Sequence, residues 1–353
     1  MSGRPSNVVG IERLAEFPER IDVRSPAEYG LDHLPGAASH PVLDDAERAR
    51  VGTLHKQDSA FAARKVGAAL VAKNIAAMLE SAFLGRPREW QPLVYCWRGG
   101  KRSGALTHVL NEIGWKAVQL EGGYKAYRRH VIDELARLPQ MFAYRVICGV
   151  TGSGKSRLLQ ALAAAGAQVL DLEALARHRG SLLGDLPDAP QPSQKGFESA
   201  LCAELATLDP ARPVYIESES KKVGEIRVPQ NLIEAMWQSP CVRIESTLAQ
   251  RLALLRAEYA HFIADPEALH GKLAHLTPLR GAAATARWRA LTAAGDWDAL
   301  VEDLLVEHYD PVYLRSIKAN YPHFGSAAAV ALEGIAPADF AAVAARIVAA
   351  GAG

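Results

Sequence analysis

The sequence has almost no net charge and little cysteine. Its 353 residues carry 40 lysines and arginines against 39 aspartates and glutamates, which gives a formal net charge of +1. A polycation that binds nucleic acid over its whole surface is therefore excluded, and any RNA contact must come from a local basic patch. The four cysteines lie far apart and form no CxxC pair, so neither a cysteine-based metal site nor a disulfide framework is expected.

Targeting and membrane signals are also missing. The first residues, MSGRPSNVVGIERLAEF, lack the basic-then-apolar order of a secretory signal. No apolar run reads as long enough to span a bilayer, and the alanine-rich tail is interrupted by Arg346. We therefore expect a cytoplasmic protein without membrane contact. The sequence does not indicate an oligomeric state, and a monomer is compatible with it.

What is present is an ordinary globular composition, 49% hydrophobic and 22% charged, which suffices for two or three cores. Residues 1–138 alternate short apolar strands with helical patterns, which predicts an α/β domain with a parallel sheet. Residues 139–246 repeat this alternation and predict a second α/β domain. Residues 247–353 are helical in pattern, and we expect them to pack on the second domain.

The first candidate site is the stretch YCWRGGKRSG at residues 95–104. Cys96 ends a predicted strand, which is where α/β folds bind their ligands. Gly99 and Gly100 allow a tight turn whose backbone amides form an anion-binding nest. The positive end of the following helix and the cations of the loop favour the reactive thiolate. These cations are Arg98, Lys101 and Arg102. We predict that Cys96 acts together with Arg98 and Arg102.

The neighbouring aromatic residue and the other cysteines are less specific. Trp97 either stacks on an RNA base or packs in a core. The other cysteines, Cys148, Cys202 and Cys241, read as core residues.

The second candidate site is GVTGSGKS at residues 149–156, which matches the phosphate-loop pattern G-x-x-x-x-G-K-[ST]. A strand pattern precedes it and a helical pattern follows, as that loop requires. Lys155 is expected to reach terminal phosphate oxygens, and Ser156 to ligate Mg²⁺ if a metal is used. The predicted phosphate-binding residues are Gly149, Gly152, Ser153, Gly154, Lys155 and Ser156. The loop predicts phosphate binding without identifying the molecule that carries the phosphate.

An enzyme that hydrolyses nucleotides also needs an acid after a strand to hold Mg²⁺. The stretch PVYIESES offers Glu217 and Glu219 in place of aspartate, which is a weaker match.

Four basic residues near this second site have two interpretations each: Lys221, Lys222, His178 and Arg179. The lysines form either a solvated face or a contact to polyphosphate or RNA. The histidine and arginine contact a phosphate or a base, or they only end a surface helix.

The cysteine loop resembles the active-site loop of the rhodanese family, in which a cysteine carries sulfur as a persulfide. The upstream stretch DVRSPAEYGLDHLPGA is similar to that family's other hallmark. One feature departs from it, because five residues separate Cys96 from Arg102, one more than in common rhodanese loops. This wider spacing resembles the dual-specificity and tyrosine phosphatases, although Tyr95 stands where those enzymes usually have histidine. A phosphatase is therefore an alternative.

A rhodanese-like domain followed by a phosphate loop resembles the tRNA 2-selenouridine synthase family. Further matching stretches are LEALARHRGSLLG, QPSQKGFES, ESESKKVG and HYDPVY. The resemblance implies conversion of 2-thiouridine to 2-selenouridine at the wobble position of the tRNA anticodon. It also implies selenophosphate as the selenium donor and an S-geranyl-2-thiouridine intermediate made from geranyl diphosphate. No tightly bound cofactor is expected.

This resemblance gives both candidate loops a role. Cys96 is expected to take selenium from selenophosphate as a perselenide, with the released phosphate stabilised by Arg98 and Arg102. The rest of that loop, Trp97, Gly99, Gly100 and Lys101, is expected to add contacts to phosphate or RNA. The phosphate loop suits the diphosphate of geranyl diphosphate, and a nucleotide fits it equally.

Two other classes of function remain open. A sulfurtransferase or phosphatase fused to an ATPase or small-molecule kinase predicts ATP turnover without tRNA. A non-catalytic module that binds tRNA or nucleotide is disfavoured by the reactive surroundings of Cys96.

Overall fold

The computed structural model describes residues 7–350 and contains two compact units. The first is built from the chain up to Ala136 together with Ser193–Ala203. The second is built from Arg137–Pro192 and the chain from Glu204 onward. The predicted α/β class is confirmed, with a parallel sheet in each unit and a helical C-terminal region. The segment boundaries predicted after residues 138 and 246 stay predictions.

The first unit contains a five-stranded sheet in which every neighbouring pair runs parallel. Its strands are β1 (Val8–Val9), β2 (Arg20–Asp22), β3 (Ala37–Ser39), β4 (Leu93–Tyr95) and β5 (Val118–Leu120). Their order is β1-β5-β4-β2-β3, so β4 is central and all its residues are buried. This burial explains why the strand is a continuous apolar run. The carboxyl ends share one edge, so the loop after β4 lies between those after β2 and β5.

Helices cover this sheet. They are α1 (Pro26–Leu31), α2 (Asp45–Gln57), α3 (Ala60–Met78), α4 (Lys101–Ile113) and α5 (Gly123–Arg137). Leu106 and Leu110 of α4 are fully buried in one cluster with Ile21 and Val94 of the sheet. Gly114 ends α4 with a φ of 109°, as its sequence position predicts. The packing of α4 against the sheet fixes where this helix begins, directly after the cysteine loop.

One helical stretch reaches the length and composition of a membrane span. It is Ala60–Phe83, which consists of α3 and the π turn Leu79–Phe83, and its hydropathy reaches 1.3. The expectation that no apolar run is long enough was therefore wrong, because the stretch contains few charged residues. Core helices of water-soluble proteins pass the same test, so length and composition alone are weak evidence of a span.

A segment from later in the chain completes the first unit. Helix α8 (Gln194–Thr207) contributes its residues up to Ala203. Ser199 donates a hydrogen bond to the buried Asp32 carboxylate at 3.0 Å, and Tyr124 donates to the same oxygen at 2.7 Å. A polar network therefore ties this helix to α5 and to the loop after α1.

The second unit also contains a parallel five-stranded sheet, with the order β12-β11-β6-β8-β7. Its strands are β6 (Tyr144–Cys148), β7 (Gln168–Leu170), β8 (Val214–Glu217), β11 (Cys241–Glu245) and β12 (Ala328–Ala331). A separate antiparallel hairpin is formed by β9 (Lys222–Val223) and β10 (Ile226–Arg227). The central β6 pairs with β8, so the loops after these two strands meet at the same edge.

The remaining elements are helical. They are α6 (Lys155–Ala164), α7 (Leu172–Ala176), α9 (Gln230–Trp237), α10 (Leu248–Glu258), α11 (Ala260–Ala264), α12 (Pro266–Ala274), α13 (Thr277–Arg280), α14 (Ala282–Ala293), α15 (Trp297–Leu304), α16 (Asp310–Asn320) and α17 (Pro337–Ala350). Phe340 and Val343 of α17 pack with Leu158 and Leu162 of α6 in the core.

One strand in the C-terminal region was missed. The sequence pattern predicts nearly continuous helix there, but β12 pairs in parallel with β11. Its sequence, AAVA, has little intrinsic strand preference, since alanine favours helices. The strand forms because β11 offers an open edge, which is a tertiary effect that local propensity does not show.

Candidate active sites

The cysteine loop of the first unit carries a buried thiol and leads directly into a helix. Cys96 follows β4 directly and is 2% exposed. Gly99 and Gly100 have φ values of 67° and 70°, a left-handed conformation that glycine adopts readily. The hydroxyl of Ser103, in the first turn of α4, donates a hydrogen bond to Cys96 Sγ at 3.3 Å. A helix N-terminus and a hydroxyl donor therefore both stabilise negative charge on this sulfur.

A close backbone approach holds the loop in place. Tyr124 donates its N–H to the Cys96 carbonyl at 2.8 Å. A Cβ at Gly123 would lie 2.3 Å from that carbonyl oxygen, so this approach requires glycine. The loop after β5 thus fixes the far side of the cysteine loop.

Arg102 is engaged by an acidic partner. Its guanidinium contacts the Glu28 carboxylate at 2.7 Å and 3.3 Å. The same carboxylate accepts the backbone N–H of Ser25 at 3.1 Å. Burial raises the pKa of Glu28, but the hydrogen bond and charge of Arg102 outweigh it and hold the pKa below its usual range. Glu28 therefore stays ionised and orients Arg102 from the first turn of α1.

The other residues of the loop face outward. Trp97 is 40% exposed, and its ring centroid lies 5.3 Å from that of Tyr124. Arg98 and Lys101 are also exposed. An exposed aromatic residue followed by two exposed cations in the same loop is a combination that single-stranded nucleic acids can contact.

The phosphate loop of the second unit connects β6 to α6. Gly152 and Gly154 have φ values of 77° and 87°, which suit glycine. Lys155 Nζ donates to the Gly149 carbonyl at 2.8 Å and lies 5.4 Å from the ring centroid of Tyr313. The Gly149 N–H donates to the Tyr313 hydroxyl at 2.8 Å. Both polar backbone groups of Gly149 are therefore engaged, and α16 supplies one of the partners.

A second residue pair supports the same loop from the C-terminal region. Arg251 of α10 donates its Nε–H to the Thr151 carbonyl at 2.9 Å. Its two terminal nitrogens bind the Asp310 carboxylate at 2.9 Å and 2.6 Å. This bidentate pair, in which Arg251 is buried, fixes the phosphate loop at Thr151.

Three carboxylates gather beside Ser156. The Ser156 hydroxyl donates to Glu173 at 2.9 Å and lies 3.5 Å from Glu217. One carboxylate oxygen from each of Glu173, Glu217 and Glu219 lies within 4.8 Å of the others. Burial, then the neighbouring acids, raise the pKa of Glu217 well above its usual range and that of Glu219 to about 8. Crowded carboxylate oxygens with a serine hydroxyl are a donor set that fits Mg²⁺.

A cavity of about 590 Å³ lies over the phosphate loop. Its lining includes Lys155, Ser156, Glu173 and Glu219 on one side and Arg179 on another. Four tyrosines complete the wall: Tyr259, Tyr309, Tyr313 and Tyr321. The cavity therefore combines a phosphate cradle with several aromatic side chains in its wall.

Comparison with known proteins agrees with both sites. A family model described as the tRNA 2-selenouridine synthase AAA domain matches residues 142–274, and one described as a rhodanese-like domain matches residues 11–130. A protein of Cupriavidus necator named tRNA 2-selenouridine synthase is 35% identical over 326 residues, which cover 83% of this chain and 86% of that protein. The chain belongs to the tRNA 2-selenouridine synthase family. The resemblance inferred from the sequence is thus confirmed.

Other members of the tRNA 2-selenouridine synthase family show similar identity over shorter stretches. The Marinobacter nauticus protein is 34% identical over 73% of this chain and 70% of its own length. The Nitrosomonas europaea protein is 36% identical over 68% of this chain and 63% of its own length. The matched region of the chain thus spans less than two thirds of this last relative.

In this family member, the structure places most of the predicted site residues in two groups. The cysteine-loop residues 96–102 lie together in the first unit. The phosphate loop, Glu217, Glu219 and Arg179 surround one region of the second unit. The roles assigned to these residues from the sequence stay predictions.

Several predicted residues lie outside the wall of that cavity, among them His178, Lys221 and Lys222. His178 is buried, with Nε2 3.2 Å from Asp185, and burial followed by the charge of Lys272 lowers its pKa. Lys221 and Lys222 are exposed on the segment that enters the β9–β10 hairpin, and Lys221 lies 5.2 Å from the Trp237 ring centroid.

Several residues that contact the candidate sites were missed in the sequence. They are Glu28, Ser103, Glu173, Arg251, Asp310 and Tyr313. Ser103 lies within the quoted cysteine loop, Glu28 within the rhodanese-like stretch, Glu173 within LEALARHRGSLLG, and Asp310 and Tyr313 within HYDPVY, so these segments carried a signal. Arg251 lies in none of these stretches and is one of several arginines of the helical region, so the sequence does not single it out as a partner of the phosphate loop.

Proposed function

We propose that the protein converts 2-thiouridine to 2-selenouridine at the wobble position of tRNA, through an S-geranyl-2-thiouridine intermediate. The substrates are tRNA, geranyl diphosphate and selenophosphate. The observation that carries the proposal is the presence of a helix-capping cysteine loop and a phosphate loop in one chain of this family. Each loop suits one of the two phosphorylated substrates.

Geranyl transfer is assigned to the phosphate loop. The backbone amides and Lys155 bind the diphosphate, and its release is the chemical step that these groups assist. Ser156 with Glu173, Glu217 and Glu219 would hold a Mg²⁺ ion that neutralises phosphate charge. Alkylation turns the thiocarbonyl sulfur into a thiol leaving group and makes C2 of the ring electrophilic.

Selenophosphate cleavage is assigned to Cys96. Its thiolate is the nucleophile, Ser103 stabilises the sulfur, and Arg98 and Arg102 neutralise the phosphoryl group. The freed selenium then attacks C2 and displaces the geranyl thiol.

The thiolate can attack selenophosphate at selenium or at phosphorus, and the electrons end on different products in the two cases. Attack of Sγ on selenium makes the expected perselenide, and the selenium–phosphorus electron pair then leaves as phosphite; delivery of that selenium to C2 requires a second thiol that reduces the sulfur–selenium bond. Attack on phosphorus makes a cysteinyl phosphate and frees selenide, and later hydrolysis gives phosphate. The phosphatase-like spacing of Cys96 and Arg102 favours the second form. Phosphorus NMR of the products distinguishes them, since only the first yields phosphite.

The proposal is tested by mass spectrometry of 2-thiouridine tRNA incubated with protein and both small substrates. Cys96→Ser should accumulate geranylated uridine without selenouridine, and Lys155→Ala should leave 2-thiouridine unchanged. Normal selenouridine formation by Cys96→Ser, or full geranylation by Lys155→Ala, would remove the assigned role of that residue.

A nucleotide is the second candidate for the phosphate loop. The carboxylates beside Ser156 favour it, because a phosphate loop with an acid after the adjacent strand also occurs in nucleotide hydrolases. This alternative predicts ATP turnover without tRNA, which a phosphate-release assay would detect.

A further inference from the structure

An apolar pocket adjoins the cavity over the phosphate loop. Its volume is about 70 Å³, and its wall includes Leu183, Phe262, Leu269, Trp297 and Leu300. A single water needs about 10–15 Å³ measured in this way, so the pocket has room for a few carbon atoms. Aliphatic and aromatic side chains predominate, so the pocket suits a hydrocarbon better than a polar base.

The pocket and the larger cavity have a common wall. Both are lined by Thr151, Ser181, Leu255, Tyr259 and Tyr309. Thr151 belongs to the phosphate loop itself. If a diphosphate ester binds its diphosphate on the loop and its hydrocarbon chain in the pocket, the shared residues lie next to the carbon–oxygen bond that joins the two parts.

Within residues 7–350, two buried side-chain atoms at this junction have no partner in full hydrogen-bond geometry. They are the hydroxyl of Tyr309, which interacts with the Ser181 side chain and belongs to a residue that lines both spaces, and Nη1 of Arg179, whose residue lines the larger one. Buried donors are almost always paired in folded proteins, so an unpaired donor on a cavity-lining residue indicates a missing acceptor.

The other cations of the cavity already have partners. Arg157 Nε lies 3.3 Å from Glu258, and Lys155 donates to the Gly149 carbonyl. Arg179 makes no ion pair in the described part of the chain, and its guanidinium lies 5.1 Å from the Tyr259 ring centroid. It is the cation in this wall that is most available to an incoming anion.

We propose that Arg179 and Tyr309 bind the leaving diphosphate of an allylic diphosphate ester whose chain end enters the apolar pocket. Tyr309 donates its hydroxyl to the ester oxygen, and Arg179 binds the terminal phosphate. This inference rests on the geranyl transfer proposed above and assigns its leaving-group residues.

The step balances without a redox partner. The thiouridine sulfur forms a bond to the allylic carbon while the carbon–oxygen bond breaks. The electron pair of that bond stays on the diphosphate, and the ring N3 proton is lost to solvent. Burial raises the pKa of Tyr309, which keeps its hydroxyl protonated and able to donate throughout this step.

The test compares Tyr309→Phe and Arg179→Gln with wild type in single-turnover geranylation and in binding of inorganic pyrophosphate. Tyr309→Phe should weaken pyrophosphate binding, because the oxygen that leaves with the diphosphate is the one that accepts the tyrosine hydroxyl, and it should transfer geranyl about 10²-fold more slowly. Arg179→Gln should weaken pyrophosphate binding at least tenfold.

Matched controls remove similar groups elsewhere. Tyr144→Phe deletes another buried, unpaired hydroxyl, and Arg243→Gln deletes another arginine with an unpaired nitrogen, and neither residue lines the two spaces. Both controls should behave as wild type. Wild-type rates in both test variants would overturn the inference while leaving the proposed function intact. Absence of geranylation in wild type would instead refute the proposed function.

The pocket is tested separately by Leu300→Trp, which fills it. This variant should weaken geranyl diphosphate binding while leaving inorganic pyrophosphate binding unchanged, provided that its thermal melt matches wild type. An equal loss of affinity for both ligands would show that the substitution distorts the whole site. Unchanged affinity for both would show that the geranyl chain binds outside this pocket. Either result contradicts the assignment. If Leu300→Trp does not fold, Leu300→Phe is the milder replacement, with the same expected split.

Discussion

The reactivity of the cysteine loop depends on single hydrogen bonds. Ser103 is 1% exposed and donates to Cys96 Sγ, and neither fact can be read from the sequence alone. Its position in the first turn of α4 lets the hydroxyl and the helix N-terminus act on the same sulfur. Small changes at this serine should therefore alter the chemistry of the cysteine without altering the fold.

Ser103→Ala should slow the alkylation of Cys96 by iodoacetamide, because the thiolate loses its hydroxyl donor. A net hydrogen bond of about 1 kcal/mol corresponds to roughly a fivefold slower reaction. Peptide mass spectrometry of the full protein measures this rate at Cys96. Ser103→Thr keeps a hydroxyl and should restore most of it, whereas an unchanged rate in Ser103→Ala would show that the contact is incidental.

Glu28 positions Arg102. Glu28→Ala should lower kcat/KM for selenophosphate by roughly tenfold, because the guanidinium loses the partner that fixes its direction. Glu28→Gln retains a hydrogen-bond acceptor and should recover part of the loss. An equal loss in both variants would indicate that the charge of Glu28, and not its geometry, matters.

The carboxylates beside Ser156 make the stability of the protein depend on pH. The folded state holds extra protons between the usual glutamate pKa of 4.5 and the pKa of about 8 at Glu219. Without a metal, the free energy of unfolding should therefore fall as the pH rises through this window. Mg²⁺ would replace those protons and should stabilise the protein more at higher pH.

Thermal melts with Mg²⁺ or with a chelator check this at about pH 6 and about pH 9, on either side of the upper pKa. The Mg²⁺-induced rise in Tm should be larger at the higher pH, and Glu219→Gln should reduce the difference. An equal rise at both pH values would argue against a metal at these carboxylates.

At the scale of elements, the sequence predicted the positions of both loops because each follows a buried apolar strand. β4 directly precedes the cysteine loop and β6 the phosphate loop, as predicted, and the order of strands then determines which other loops lie beside them. β12 was missed because its alanines carry no strand preference. The pairing of each loop with its partners could not be predicted, since partners such as Arg251 come from distant segments and their contacts depend on packing.

Helix α8 is another element whose role depends on tertiary contacts. Its Ser199 hydrogen-bonds to Asp32, which is 3% exposed. Asp32→Ala should lower the free energy of unfolding by about 2 kcal/mol, because Ser199 and Tyr124 each lose their acceptor. Chemical denaturation measures this change. Asp45→Ala, at the start of the exposed α2, is a control for loss of an acidic side chain, and an equal effect would refute the role of the network.

At the scale of the whole molecule, the proposed function requires two phosphorylated substrates and one RNA base. The first unit contains the cysteine that the proposal makes the nucleophile, and the second contains a phosphate loop with a metal-compatible acid cluster. Neither loop alone identifies the reaction. Alkylation must precede selenium entry, because an unmodified thiocarbonyl offers no good leaving group at C2.

The order of the two steps is the central claim, and a time course of tRNA products by mass spectrometry tests it most directly. Wild-type protein with both small substrates should show geranylated uridine rising and then decaying as 2-selenouridine appears. Omission of geranyl diphosphate should abolish 2-selenouridine. Selenouridine that forms at the same rate without geranyl diphosphate would contradict the account.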